Sequence, residues 1–212
     1  CALPIWKELQ RTHGGRATLV VVSDHGFISY RRRIQPNVLL RQEGLLTALG
    51  TRITGGSVRA VAQGGACFVY VLRDEGRAAQ VAKLAEQFRQ VEGVGAVISQ
   101  ADFAAQGLPD PAKNPQMADL VLSAASGFNF VDSPAGDVVV TSLDEVTKGS
   151  HGSDAAHPDM YATFVAWGSG IQAGARCGTV SNTSVAPTLG ALLGLKVKNM
   201  EGPVLQPLLE GK

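Results

Sequence analysis

Two short stretches hold the residues of this chain that could do chemistry. The first is Ser23-Asp24-His25-Gly26, which sets a carboxylate and an imidazole side by side, with a glycine after them that lets the backbone turn sharply. A hard oxygen ligand beside a nitrogen ligand is a pair that divalent metals use. The second is Gly149-Ser150-His151-Gly152-Ser153-Asp154, where small residues on both sides leave the His151 imidazole room to meet a ligand or a metal. Each stretch also has an ordinary reading. Asp24 can cap a strand-end turn with His25 merely exposed, and a histidine in a Gly/Ser loop can be a surface residue. Asp154 is either a turn-former or a partner to a ligand, and His157, just ahead of Pro158, reads as a loop side chain.

These residues need elements to hold them. Leu19 to Val22 is a continuous apolar, β-branched run, which predicts a strand buried on both faces, as in a parallel sheet covered by helices. In open α/β sheets ligands sit beyond the carboxyl ends of the strands, and that edge is where Asp24 and His25 fall. Ahead of the strand, 4–11 reads as a helix with Ile5, Trp6 and Leu9 on one face, closed by His13-Gly14-Gly15. Arg31, Arg32 and Arg33 follow the turn. They are read as a solvated rim, with the alternative that one of them faces an anionic substrate. Pro36 opens a short helix that Gly44 stops.

The pattern then changes. Residues 53–62 and 66–72 predict two strands joined by a Gly64-Gly65 turn, 74–92 an amphipathic helix, and 94–99 another strand. Such a ββαβ run is a small α+β subdomain. Further strands are expected at 118–124 and 137–141, with a loop at 127–136 between them. A strand over 161–167 and a helix over 184–193 with an early Pro187 complete the reading. The fold class is α/β, with a core from 1–50 and 115–212 and an inserted α+β subdomain at 51–114.

Composition narrows the function classes. The chain has 212 residues and a formal net charge of +1, so there is no electrostatic case for a nucleic-acid-binding surface. No apolar run reaches the eighteen or so residues of a membrane span, and no signal peptide is visible. Cys1, Cys67 and Cys177 are far apart and odd in number, which argues against a disulfide framework and against a Cys/His zinc site. Cys1 reads as an internal residue at which the chain happens to begin, with a lipidated N-terminus as the alternative.

Four motifs in order carry a resemblance. They are Ser23-Asp24-His25-Gly26; Gly149-Ser150-His151-Gly152-Ser153-Asp154; Met160 with Phe164, Ala166 and Gly168; and Val185-Ala186-Pro187-Thr188-Leu189 with Leu192-Leu193-Gly194. Together they resemble the type I phosphodiesterase/nucleotide pyrophosphatase family of the alkaline phosphatase superfamily. The resemblance spans both ends of the chain and skips the inserted subdomain. It implies an alkaline phosphatase-like three-layer α/β/α sandwich and a two-metal, usually two-zinc, hydrolase of phosphoric esters with a small-molecule phosphate ester as substrate. In the family pattern Asp24 and His25 hold one metal and His151 holds the other.

The chain also departs from that pattern. Family members keep a Thr or Ser nucleophile after another Asp ligand, and an Asp-x-x-x-His pair, all before the first motif. Only 22 residues precede Ser23. The chain is therefore expected to be a C-terminal half, with part of each metal site, no nucleophile and no activity alone. Two metal sites about 4 Å apart would place His151 at the same sheet edge as Asp24. An exposed strand edge would favour self-association or pairing with the other half. Two other readings stay open: a sulfatase or phosphonate hydrolase of the same superfamily, and a non-catalytic binding module on this fold.

Overall fold

A computed structural model describes residues 2–210. In chain order its elements are helix α1 (Ala2–Thr12), strands β1 (Thr18–Val22) and β2 (Ile28–Ile34), and helix α2 (Pro36–Gln42). Strands β3 (Leu46–Leu49), β4 (Arg52–Gly56), β5 (Val58–Gln63) and β6 (Ala66–Val71) follow, then helix α3 (Arg77–Arg89). Next come β7 (Val94–Ser99), β8 (Leu120–Ala124), β9 (Gly127–Phe130), β10 (Val140–Ser142) and β11 (Lys148–Ser150). Strand β12 (Phe164–Gly168) and helix α4 (Val185–Leu192) end the series. The chain divides into two compact units, Phe27–Tyr161 on one side and Cys1–Gly26 with Ala162–Lys212 on the other.

The Phe27–Tyr161 unit is built on an antiparallel sheet in the order β5-β6-β8-β7. Alternation decides which side chains it buries: Val58 and Ala60 on β5, and Cys67, Val69 and Val71 on β6, all point into the core. Helix α3 covers that face with Leu84, Ala85 and Phe88, spaced three and four apart, and Leu40, Phe130 and Ile34 join the same cluster. The expected helix over 74–92 begins later, at Arg77. There the guanidinium binds the buried Asp119 carboxylate (Nε to Oδ1, 3.0 Å) and the Val71 carbonyl (2.8 Å). Asp119 also accepts the Val71 N–H at 2.7 Å. That partner holds the Arg77 guanidinium above its ordinary pKa.

A second sheet has β2 at its centre, flanked by antiparallel β10 and β11 and by parallel β9. The expected loop at 127–136 therefore starts with a strand. Its Phe128 and Phe130 flank Asn129 with apolar surface, and β2 supplies the hydrogen bonds that a four-residue apolar run cannot reveal from sequence. The predicted strand at 53–62 is two strands, β4 and β5, broken at Gly56. A Cβ at Gly56 would lie 2.5 Å from the Leu45 carbonyl oxygen. The hairpin turn at Gly64-Gly65 is where the sequence places it. Buried Cys67 is a free thiol, pushed well above its ordinary pKa by burial, as an inert core residue should be. Cys177 is free too, and Cys1 lies outside the described residues.

The other unit pairs β1 with β12, and this corrects the reading of 19–22 as a central parallel strand. The pairing is antiparallel, Thr18 opposite Gly168 through Val22 opposite Phe164, and β12 is the partner of β1 among the described residues. Val21 and Val22 are each 48% exposed. A β-branched apolar run identifies a strand; its neighbours and their direction are tertiary facts that the run does not encode. Helix α1 anchors to this ribbon through Trp6, which is buried and tilted against Trp167 with ring centroids 4.7 Å apart. Ile5 and Leu9, expected on the same inward face, are exposed. A small core of Ile171, Leu205 and Leu208 lies under Phe164 and Leu192.

Candidate functional site

Asp24 and His25 leave the end of β1 in a turn held from three directions. The Ser23 N–H donates to the Thr163 carbonyl at 3.0 Å, and the Ser23 hydroxyl oxygen accepts the Thr163 N–H at 2.8 Å, which locks the strand end to the chain entering β12. Asn182 donates its side-chain amide to the Asp24 carbonyl at 2.7 Å. The His25 N–H donates to Asp24 Oδ1 at 3.1 Å, which turns the carboxylate back towards the imidazole. Ser23 and Asn182 are positioning residues that the sequence reading did not assign. Asn182 sits in a Ser-Asn-Thr-Ser run whose only visible signal is that of a helix start.

The ring of His25 is oriented by chemistry that leaves one tautomer. Its Nδ1 lies 2.8 Å from the Gly26 carbonyl oxygen; a carbonyl cannot donate, so Nδ1 carries the hydrogen. Nε2 then faces Asp24 Oδ2 at 3.4 Å. With Nδ1 carrying the hydrogen, Nε2 is the ring's electron-pair donor, and it lies on the side of the carboxylate. Two donors on a tetrahedral zinc, each about 2.0–2.1 Å from the ion, sit about 3.3 Å apart. The pair thus has the bite of two adjacent zinc ligands, with a backbone carbonyl setting the tautomer as in known metal sites. Among the described residues no three His, Cys, Asp or Glu side chains gather into one metal-holding group, so this corner supplies two donors.

His151 follows directly on β11, which ends at Ser150 paired with Ile28. Its side chain is exposed, and its carbonyl oxygen accepts the Gly65 N–H at 2.7 Å. The other polar residues of the loop take structural roles. Asp154 accepts the Ala156 N–H at 2.9 Å through Oδ1 and the His157 N–H at 3.0 Å through its carbonyl, which makes it the turn-former. His157 Nδ1 accepts the Asp159 N–H at 3.2 Å and caps the turn at Pro158–Met160. Of the arginines, Arg31 donates to Thr147 at 2.7 Å, while Arg32 forks onto Glu92 and lies 4.9 Å above the Phe128 ring. Both are held by protein partners. Arg33 Nε is buried with no hydrogen-bond partner among the described residues.

The family model described as type I phosphodiesterase / nucleotide pyrophosphatase matches residues 4–154, a span that takes in both chemical stretches. The chain belongs to this family. Its members are metal-dependent hydrolases of the phosphodiester type. Among solved structures the chain is similar to human ectonucleotide pyrophosphatase/phosphodiesterase 5, at 19% identity and a TM-score of 0.69 over 98% of this chain and 50% of that one. It is equally similar to the murine protein of that name, at 20% identity, TM-score 0.68 and 98% and 49% coverage. An inactive murine variant in complex with AMP matches at the same values. No curated protein sequence is significantly similar. The fold is the alkaline phosphatase-like α/β fold, and the chain spans about half the length of the solved structures it matches.

Proposed function

We propose that this chain is the C-terminal half of a two-metal hydrolase of phosphoric esters, a phosphodiesterase/nucleotide pyrophosphatase whose Thr or Ser nucleophile lies upstream. The observation that carries the reading is the Asp24–His25 corner, where Oδ2 and Nε2 stand 3.4 Å apart at the strand end of a family motif. Asp24 and His25 would hold one divalent ion, zinc by family habit, and His151 would contribute to the other. Bound ions of this kind lower the pKa of an attacking hydroxyl and stabilise the leaving oxygen. The chain's own part is orientation. The Gly26 carbonyl fixes the His25 tautomer, and Ser23 and Asn182 hold the turn, so both donors are placed before any ion arrives. A nucleotide ester is the substrate class in view, since an inactive variant of the murine relative is in complex with AMP.

Calorimetric titration of zinc into residues 1–212 tests the metal reading. With two donors at one corner and one at another, neither reaches the four ligands zinc prefers. The expected dissociation constant is weaker than about 1 μM, and His25→Ala removes the share of the heat that belongs to the Asp24–His25 corner. Submicromolar binding abolished by His25→Ala would sink the idea that half of each site is elsewhere. No heat at any zinc concentration would sink the metal assignment.

Pairing of this chain with a copy of itself, or with an upstream half, is part of the same proposal. On the β1–β12 ribbon Val21, Val22, Val165 and Trp167 are 48%, 48%, 52% and 45% exposed. No further strand pairs with this ribbon among the described residues, and an apolar strand edge of this kind invites strand addition. Sedimentation velocity of the purified chain should show a mass that rises with concentration. A concentration-independent monomer with a sharp melt would mean the ribbon needs no neighbour.

A further inference from the structure

The hairpin turn at Gly64-Gly65 lies far in sequence from either chemical stretch, yet it touches one of them closely. Its Gly65 N–H donates to the His151 carbonyl oxygen at 2.7 Å. A Cβ on Gly64 would lie 2.3 Å from that same oxygen and 2.6 Å from Ser150 Oγ. A Cβ on Gly65 would lie 2.1 Å from Ser153 Oγ and 2.8 Å from the Ser153 backbone. From the other side, Gly152, at φ +78°, would place a Cβ 1.8 Å from the Gln63 carbonyl oxygen. Three glycines therefore let two backbones meet on either side of His151: a side chain on Gly64 would push at the His151 carbonyl, one on Gly65 at Ser153 two residues on, and one on Gly152 back at Gln63. Turn glycines elsewhere, such as Gly107 at φ +68°, have open space where a Cβ would go.

The turn is itself pinned. The Gly64 carbonyl accepts the Phe130 N–H and the Gly65 carbonyl accepts the Ala124 N–H, each at 2.8 Å. Asp132 Oδ1 accepts the Ala62 N–H at 2.6 Å one residue before the turn begins to tighten. The hairpin thus ties the His151 loop to the ends of β8 and β9 through backbone groups, which have no rotamers to relax. A ligand displaced by about 1 Å costs a site of this kind much of its function, and the groups that orient ligands are worth as much as the ligands' own placement.

We propose that the Gly64-Gly65 turn is the positioning element for His151, setting through backbone contact alone where its imidazole can meet a metal. The proposal rests on reading His151 as a ligand. Its test is zinc alone, titrated into residues 1–212 and followed by the imidazole nitrogen resonances of His25 and His151. In Gly65→Ala the His151 midpoint should move to at least about tenfold higher zinc, the usual cost of losing an orienting group, while the His25 midpoint stays within about twofold of wild type. Gly107→Ala, which puts a side chain on a left-handed residue at φ +68° but in open space, should move neither. A folded Gly65→Ala with an unchanged His151 midpoint, or with both histidines shifted together, overturns the proposal.

One measurement needs no variant. The Gly65 amide of the wild-type chain should exchange with solvent at least about 10²-fold more slowly than an open peptide, because it is bonded within the folded unit. Exchange at the open rate overturns the proposal even if His151 responds to zinc. A His151 resonance that no zinc concentration moves, with Gly65 protected, overturns the metal reading beneath it. The two failures are told apart by which of these signals is missing.

Discussion

Phe88→Ala will destabilise the Phe27–Tyr161 unit by about 3–5 kcal/mol, the range for emptying a fully buried aromatic site. Phe88 is 0% exposed and lies on the inward stripe of α3 with Leu84 and Ala85. Its neighbours are the inward positions of β6 and β8, Val69, Leu120 and Leu122, which sit on a hydrogen-bonded sheet and cannot easily collapse into the space. Urea denaturation followed by far-ultraviolet circular dichroism should show a lower midpoint with an unchanged slope. Both tryptophans, Trp6 and Trp167, lie in the other unit, so their fluorescence follows that unit separately. A loss below about 1 kcal/mol would mean that α3 does not close this core.

What the sequence made legible follows from which signals are local. The β5–β6 hairpin, α2 with Pro36 at its first position, and the inward stripe of α3 all rest on periodicity or on turn residues, and each stands where it was expected. The misses share a different cause. Leu19–Val22 reads as a doubly buried strand, but burial belongs to neighbours, and β12 alone lies beside it among the described residues. Strand β9 was hidden because its four residues are apolar in part and its partner β2 lies far back in the chain. Ile5 and Leu9 lie on the same broad face of α1 as Trp6, but Trp6 alone of the three is buried, where Gly168 admits it to the sheet.

The candidate site stands out in the sequence by its chemistry and not by its supports. Asp24, His25 and His151 stand out by residue type and flanking glycines, and Asp154 and His157 by turn-forming habit. The residues that hold them do so by bonding to backbone atoms. Ser23 clasps Thr163, Asn182 reaches the Asp24 carbonyl, and Gly65 reaches the His151 carbonyl. A bond to a carbonyl leaves no mark on the identity of the residue that accepts it. Such partners become visible only when the chain has been folded and the distances can be read.

His25→Ala, in a protein that joins this chain to the proposed nucleophile-bearing half, should lower phosphodiester hydrolysis by roughly 10³-fold. A metal's stabilisation of transition-state charge is worth several kcal/mol, and about 1.4 kcal/mol is a factor of ten. The imidazole is the better held donor of the corner, since its tautomer is fixed by the Gly26 carbonyl and its ring is 30% exposed, whereas the Asp24 side chain is 88% exposed and held, among the described residues, through the His25 N–H alone. Raised zinc should restore part of the rate, because Asp24 still offers an oxygen. Asp24→Asn should respond less to added zinc, having lost the charge that draws the ion. His157→Ala is the control: its ring caps the turn at Pro158–Met160, and the rate should stay within about twofold. If His25→Ala keeps more than a tenth of the activity, the corner is a strand-end turn in which His25 only meets Asp24, and the metal must be held by other residues.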